Sequence, residues 1–252
     1  MKEHVITVGI GGATCSGKTT LSSQLCAMLP NCTVIHQDSY WADTKDCPMH
    51  PVHHEPDLED PRSAIKWPAF RADVKALKAM ANSKKVGEAD GWQSSVPLRS
   101  TDNTLADMSK LSDEIITEWT QRFRELDKDY RARGVLLKWF IVEGWHLFYD
   151  VERIYYNNEG RKKKYISPEG IIWVDPPYYW KDFTYPAYLR THSRLFQGGE
   201  VETNLLSSEA EYENITLLDG EGTQRNLSWE DIFQHAASEI LFKGTEGALL
   251  KI

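Results

Sequence analysis

The sequence predicts a three-layer α/β fold built on a parallel sheet, and three consecutive stretches carry that prediction. Residues 5–10 (VITVGI) are a short apolar run that reads as a buried strand. A glycine-rich turn leads into 18–29 (KTTLSSQLCAML), where Leu21, Leu25 and Leu29 fall on one helical stripe and Pro30 marks the stop. Residues 33–36 (TVIH) read as a second strand. Strand, glycine turn, helix and strand in that order open a parallel α/β sheet.

The later elements extend the pattern. Residues 41–60 read as a polar loop rich in proline and histidine. Helix is expected near Pro61–Lys66 and again over Pro68–Met80, since proline suits a first helical turn. Residues 82–108 are polar without period and read as an insertion. Residues 111–133 predict a long charged helix with an apolar stripe of Ile115, Trp119, Phe123 and Leu126. The near-continuous apolar run 135–142 (VLLKWFIV) predicts a central parallel strand, ended by Glu143-Gly144. Residues 160–183 combine a basic cluster with Gly, Pro and aromatic residues. A helix over 185–196, a last strand at 215–218 (ITLL) and a helix over 228–242 complete a single domain.

Composition narrows the function. The chain has 252 residues, is 41% hydrophobic and carries a net charge of −8, so it can bury a core but is a poor candidate for bulk nucleic-acid binding. Its four cysteines form no CxxC pair, which fits reduced thiols in the cytoplasm, with the nucleus as the alternative compartment. The opening residues have no long apolar stretch before a cleavage site, so no signal peptide is expected. The most apolar later run, 134–144, is too short to span a membrane. The nine tryptophans, Trp119 and Trp139 among them, sit mostly at core-like spacing and read as packing.

The stretch GIGGATCSGKTT (9–20) is the chemical centre. It contains Gly12-x-x-x-x-Gly17-Lys18-Thr19 between a strand and a helix. Glycines let the backbone close around an anion, so that the N–H groups of Gly12, Ala13, Thr14, Cys15, Ser16, Gly17, Lys18, Thr19 and Thr20 can converge on phosphate. The following helix adds its positive N-terminus. Lys18 is expected to reach the outer phosphates, and Thr19 to ligate Mg²⁺. This is a nucleoside-triphosphate site. Cys15 reads as a tolerated small residue within it.

Other parts of the chain select among reactions. A GTPase would need an N/T-K-x-D segment, and Thr44-Lys45-Asp46-Cys47 has the wrong last residue. A motor ATPase usually pairs its apolar strand with adjacent Asp-Glu, whereas this strand ends Val142-Glu143-Gly144. A small-molecule kinase needs a carboxylate near the γ-phosphate, metal ligands and a cationic lid. Asp38, just after the second strand, is placed to be that carboxylate, with an ordinary turn aspartate as the plainer reading. Glu143 could hold Mg²⁺ directly or through water, or could be a strand-end charge. The basic run Arg161–Lys164 reads as a phosphate-sensing lid or as a solvated patch. Cys47, His50, His53 and His54 contain metal-ligand types, but their spacing fits no standard zinc pattern.

The phosphate loop, LPNCTVIHQDSYW (29–41), IVEGWHLF (141–148), the segment 167–202 and LLDG (217–220) together resemble the nicotinamide riboside kinases, the 167–202 segment most like fungal members. The resemblance implies a uridine-kinase-like phosphate-loop fold with a lid. It also implies ATP- and Mg²⁺-dependent phosphorylation of the 5′-hydroxyl of nicotinamide riboside, or nicotinic acid riboside, toward NAD. Asp38 would be general base and metal neighbour, together with Thr19 and Glu143 at the metal. Ser39, Tyr40, Trp41, Glu59, Asp60 and Tyr165 would line the nucleoside, with Asp60 on ribose hydroxyls. Residues 219–227 would lie near adenine. The partner is a small-molecule nucleoside, and the state a monomer or weak homodimer.

Two departures accompany the resemblance. The family places an aromatic residue just before the ribose aspartate, where this chain has Glu59. A glutamate would attract a cationic nicotinamide ring and repel the carboxylate of nicotinic acid riboside. The stretch 149–160 is also short for the strand and helix that the family carries before its lid. The family's paired lid arginines fall on Glu159 and Gly160. Arg161 and Lys163 are the nearest substitutes, although lysine lacks arginine's bidentate fork. The expectation is a surviving fold with weakened transfer. The alternatives are a uridine-kinase-like nucleoside kinase and a weakly active ATP-binding homologue.

Overall fold

The computed structural model describes residues 1–14, 16–80, 107–147, 165–166, 172–173, 175–201, 205–208, 210, 215–218 and 227–246. Three strands, β1 (Lys2–Gly11), β2 (Cys32–His36) and β3 (Val135–Gly144), form a parallel sheet in the order β1-β3-β2. The apolar run at 135–144 is therefore central, as its two-sided hydrophobicity predicts. Leu137, Trp139 and Ile141 face one side of the sheet, and Phe140 and Val142 the other, the period-two signature of a strand buried on both faces.

Helices cover both faces, completing three layers. On the first face lie α1 (Lys18–Met28), α3 (Asp113–Ala132) and α5 (Trp229–Glu246), whose Leu25, Phe123 and Phe233 are essentially sealed from solvent. The stripe Ile115, Trp119, Phe123 and Leu126 is buried as its spacing predicts, and each such side chain contributes roughly 1.5–3 kcal/mol. On the second face lies α2 (Trp67–Met80), packing Phe70 and Leu77 against Ile35, Phe140 and Val142.

Local chemistry sets the helix ends. Asp113 and Glu114 sit in the first turn of α3, where carboxylates favour the helix dipole, and Gly134 at φ +76° follows its last turn. The start of α5 is a capping box: Asp231 N donates to Ser228 Oγ, and Ser228 N to Asp231 Oδ2. Glu230 then accepts from Ser112 N at 2.7 Å, tying α5 to the start of α3.

Beyond the sheet, β4 (Tyr165–Ile166) pairs antiparallel with β5 (Ile172–Trp173) inside the segment read as a lid. A π turn at Trp180–Thr184 runs into α4 (Tyr185–His192), and a 3₁₀ turn at Ser193–Leu195 ends it. No helix of the described residues is long and apolar enough to cross a membrane.

Two sequence expectations are corrected. Residues 61–66 form turns instead of a helix. Asp60 accepts from the backbone of Arg62, Ser63 and Ala64, and the chain then bridges Trp41 through Ile65 and donates from Lys66 N to Tyr40 O. Those bonds to the other chain segment compete with helix continuation. Residues 215–218 are not a strand: Ile215 and Leu218 are buried on the α1 face without ladder pairing, so their apolar character reflects packing. The predicted insertion at 82–108 falls outside the described residues except for its last two positions.

Candidate active site

The carboxyl ends of the three strands are level. Gly11 stands opposite Gly144, and Glu143 stands between Ile10 on one side and His36 on the other. The two loops that leave β1 and β2 therefore meet at the end of β3, the place where open α/β sheets bind ligands.

The first loop carries the phosphate-binding pattern. Gly12 (φ +136°) and Gly17 (φ +92°) take backbone conformations open chiefly to glycine. At Gly17 a side chain would also strike the Trp229 ring, which lies 2.6 Å from where a Cβ would be. Ser16 N donates to Ala13 O, and Leu21 N to Gly17 O, closing the loop onto the first turn of α1. Lys18 Nζ donates to Ala13 O at 2.7 Å, so its ammonium lies at the loop. Thr14 is half-buried in that loop, and Thr20 half-buried on α1. Cys15 lies outside the described residues.

Thr19 heads α1 with an exposed side chain, and its Oγ1 donates to Glu143 Oε1 at 3.3 Å. Glu143 is 2% exposed. Its Oε1 also receives His36 Nδ1 at 2.6 Å; a carboxylate can only accept, which assigns that ring nitrogen as the donor. A hydroxyl and a carboxylate oxygen thus sit together beside a phosphate loop. This donor set suits Mg²⁺, which takes one or two protein oxygens and completes its shell with water and phosphate oxygens.

The second loop presents Asp38 from a 3₁₀ turn, Gln37–Tyr40. Its neighbours are locked. Gln37 is fully buried, and its Oε1 accepts from His146 N at 2.8 Å. Tyr40 is fully buried, and its hydroxyl donates to Asp73 Oδ2 at 2.8 Å. Tyr40 was expected to meet the nucleoside; it faces the core instead, because its ring packs edge-on against Phe70. Asp38 and Ser39 between them are half-buried. Trp41 is half-buried and lies edge-on to the His146 ring at 5.9 Å.

Gly144 is what lets Gln37 approach. A Cβ there would stand 2.3 Å from Gln37 Cβ, an atom too close to the backbone to swing aside. Gly144→Ala is expected to displace the Gln37–Asp38 turn, cost about 1–3 kcal/mol as an overpacked site does, and lower activity. Urea unfolding and turnover of the same preparation check it.

The turn at 57–60 is acidic. Asp57, Glu59 and Asp60 are each under a tenth exposed. Burial pushes the Asp57 carboxyl up. At Asp60 burial acts the same way, but hydrogen bonds and charge from Arg62, with Arg190 beyond, outweigh it and hold the carboxyl below its usual range. Arg62 grips both Asp60 oxygens. The loop before them docks on 178–183. His53 Nε2 donates to Asp182 at 2.7 Å, its ring stacks on Tyr178 at 4.0 Å, and His50 Nδ1 accepts from the backbone of Val52 and His53. His50 and His53 are thus engaged in hydrogen bonds and ring contacts.

Tyr165 opens β4, with its side chain outside the description, and Arg161, Lys163 and the shortened stretch 149–160 lie outside the described residues. Of the other residues read for the site, the structure gathers the phosphate loop, Lys18, Thr19, Glu143 and the Asp38 turn at the carboxyl end of the sheet. Sequence reading missed His36, Gln37, His146 and Arg190. The only signal for the first two was their position flanking Asp38 at a strand end.

No family model matches the chain. A nicotinamide riboside kinase of Schizosaccharomyces pombe is 23% identical over 247 residues, spanning 91% of this chain and 96% of that protein. A nicotinamide riboside kinase of Saccharomyces cerevisiae is 24% identical over 213 residues, 79% of this chain and 82% of its own length. The chain is similar to the nicotinamide riboside kinases. Nicotinamide riboside kinase 2 of Homo sapiens adds a short, dense match, 58% over 36 residues, or 14% of this chain. The resemblance read from the sequence motifs is borne out, and fungal nicotinamide riboside kinases match along most of the chain.

Proposed function

We propose that this protein is a kinase that moves the γ-phosphoryl group of ATP to the 5′-hydroxyl of nicotinamide riboside. The observation that carries this reading is the meeting of Lys18, the Thr19–Glu143 pair and the Asp38 turn at the level carboxyl ends of β1, β2 and β3. The similarity to fungal nicotinamide riboside kinases over most of the chain supports it.

The chain's own groups divide the chemistry. Backbone N–H groups of 12–20 and the N-terminus of α1 bind the phosphates. Lys18 takes up the charge that builds on the transferring group. Asp38 orients the acceptor hydroxyl and accepts its proton. Thr19, Glu143 and Asp38 would hold Mg²⁺, which when bound would neutralise charge on the phosphates. His36 fixes the Glu143 carboxylate through its 2.6 Å bond. Arg161 and Lys163 are the proposed lid cations. Ser39, Trp41, Glu59, Asp60 and Tyr165 are the proposed nucleoside contacts. The protein acts as a cytoplasmic monomer or weak homodimer.

The acceptor side supports a cationic nucleoside. Arg62 pairs with Asp60 and Arg190 lies 3.8 Å from Asp57, and Glu59 adds a third buried acid to the same turn; that acidic surrounding favours a pyridinium over neutral uracil or a base bearing its own carboxylate. With purified protein, ATP and Mg²⁺, kcat/KM is expected to be at least about tenfold higher for nicotinamide riboside than for nicotinic acid riboside or uridine, a gap of about 1.4 kcal/mol. Preference for uridine would favour the uridine-kinase-like reading. ATP binding without turnover of any nucleoside would favour the weakly active homologue.

A further inference from the structure

The acceptor loop is held by contacts from another part of the fold. His53 reaches Asp182, the Tyr178 hydroxyl donates to Glu55 Oε1 at 3.2 Å, and the His50 ring lies 4.2 Å from that of Phe183. Arg190, one turn along α4, has its Nη2 3.8 Å from Asp57 Oδ2. This last contact is of a different kind. It is too long for a hydrogen bond, and the guanidinium donates to no side chain of the described residues. The Arg190 side chain is 44% exposed, whereas the carboxylates it faces are buried.

The helix that bears Arg190 is fixed to the phosphate loop. Ala187 and Tyr188 of α4 pack with Ala13 of that loop and with Trp145 just past β3. The charge of Arg190 acts on Asp57, Asp60 and His146, and His146 also feels Lys18. Arg190 therefore lies on the acceptor side, on an element registered to the phosphate-binding side.

We propose that Arg190 is a positioning residue that holds the acceptor-loop carboxylates Asp57 and Asp60 in place for the nucleoside and so sets nucleoside affinity. The inference rests on the kinase reading above. Two buried carboxylates close in sequence repel each other, and Arg62 grips Asp60 but is not among the groups that act on Asp57. Arg190 is the cation shared by both. The other groups that act on Asp57 are the Glu59 backbone N–H, Asp60 and His50; those on Asp60 are its bonds and charge from Arg62. Cys47 lies within the field of both carboxylates. Without Arg190 the pair relieves its repulsion by taking up a proton or by moving the loop, and either outcome weakens nucleoside binding.

The test compares wild type, Arg190→Ala and Arg190→Lys, with Arg122→Ala on the exposed face of α3 as control. Nicotinamide riboside binding is measured by calorimetry, and kcat and KM for riboside and ATP across pH. Arg190→Ala is expected to raise riboside Kd and KM about tenfold with KM for ATP unchanged. The acid limb of kcat/KM for riboside moves to higher pH, and Arg190→Lys recovers most of the affinity. Riboside affinity and acid limb unchanged in Arg190→Ala, with an active wild type, overturn the inference alone. If wild type binds riboside without turning it over and Arg190→Ala weakens that binding, the kinase reading falls and the inference stands. If wild type does not bind riboside, both fall.

Discussion

Asp38→Asn is expected to lower kcat for riboside phosphorylation by about 10²–10⁴-fold, the range a positioned general base supplies, while ATP affinity stays within about twofold. Asparagine keeps the shape of aspartate but loses its negative charge and the ability to take the proton. The backbone should not move, because the turn is pinned on both sides of Asp38. Gln37 Oε1 holds His146 N, and Tyr40 holds Asp73 through its hydroxyl and Lys66 N through its carbonyl. Steady-state kinetics together with calorimetric ATP binding separate the outcomes. A fall in kcat with intact ATP binding assigns Asp38 to the proton. An unchanged kcat removes it from the chemistry, and a matching loss of ATP binding makes it a metal or nucleotide group instead.

The second large effect concerns stability in acid. His146 is fully buried, its ring contacts those of Trp41 and Trp145, and neither ring nitrogen has a hydrogen-bond partner among the described residues. Burial lowers its pKa from 6.5 to about 3; the charges of His192, Arg190 and Lys18 add to the shift, and Asp60 opposes it. The sign follows from proton binding. In the fold the ring stays neutral down to about pH 3, whereas the unfolded chain binds a proton below about 6.5. Acidification therefore favours unfolding over that window, at about 1.4 kcal/mol per pH unit. His146→Leu removes the proton-binding group. It is expected to leave stability at pH 7 near the wild-type value or slightly above, since an unpartnered buried polar group is lost. At pH 4.5 the variant should be more stable than wild type by roughly 2.7 kcal/mol, two pH units of that slope. Urea unfolding of both proteins at pH 7 and pH 4.5 checks it; parallel pH profiles would mean that the ring is protonated or solvated in the fold.

The sequence made the framework legible because local rules suffice there. An apolar run, a glycine turn and Leu21, Leu25 and Leu29 at helical spacing produce β1, the loop and α1 without reference to the rest of the chain. The stripe from Ile115 to Leu126 and the run 135–144 likewise state their own periods. Reading failed where partners are distant. Residues 61–66 look helical, yet Ile65 and Lys66 bond across to Trp41 and Tyr40. Tyr40 sits beside Asp38 in sequence, and only the packing of α2 turns it inward. His36 meets Glu143 because β2 lies next to β3, an adjacency that strand order supplies and no motif states. His146 and Arg190 lie within the segments 141–148 and 167–202 that carry the resemblance, yet no pattern there singles them out. Their importance comes from what burial and α4 place around them.

The measurement that tests the central claim most directly follows purified protein with ATP, Mg²⁺ and nicotinamide riboside, quantifying ADP and phosphorylated riboside together. The two products are expected in equal amounts, over many turnovers, with phosphate on the 5′-oxygen. Tight ATP binding with no phosphorylated riboside, or ADP formed without it, would contradict the account and leave a nucleotide-binding protein that does not carry the transfer.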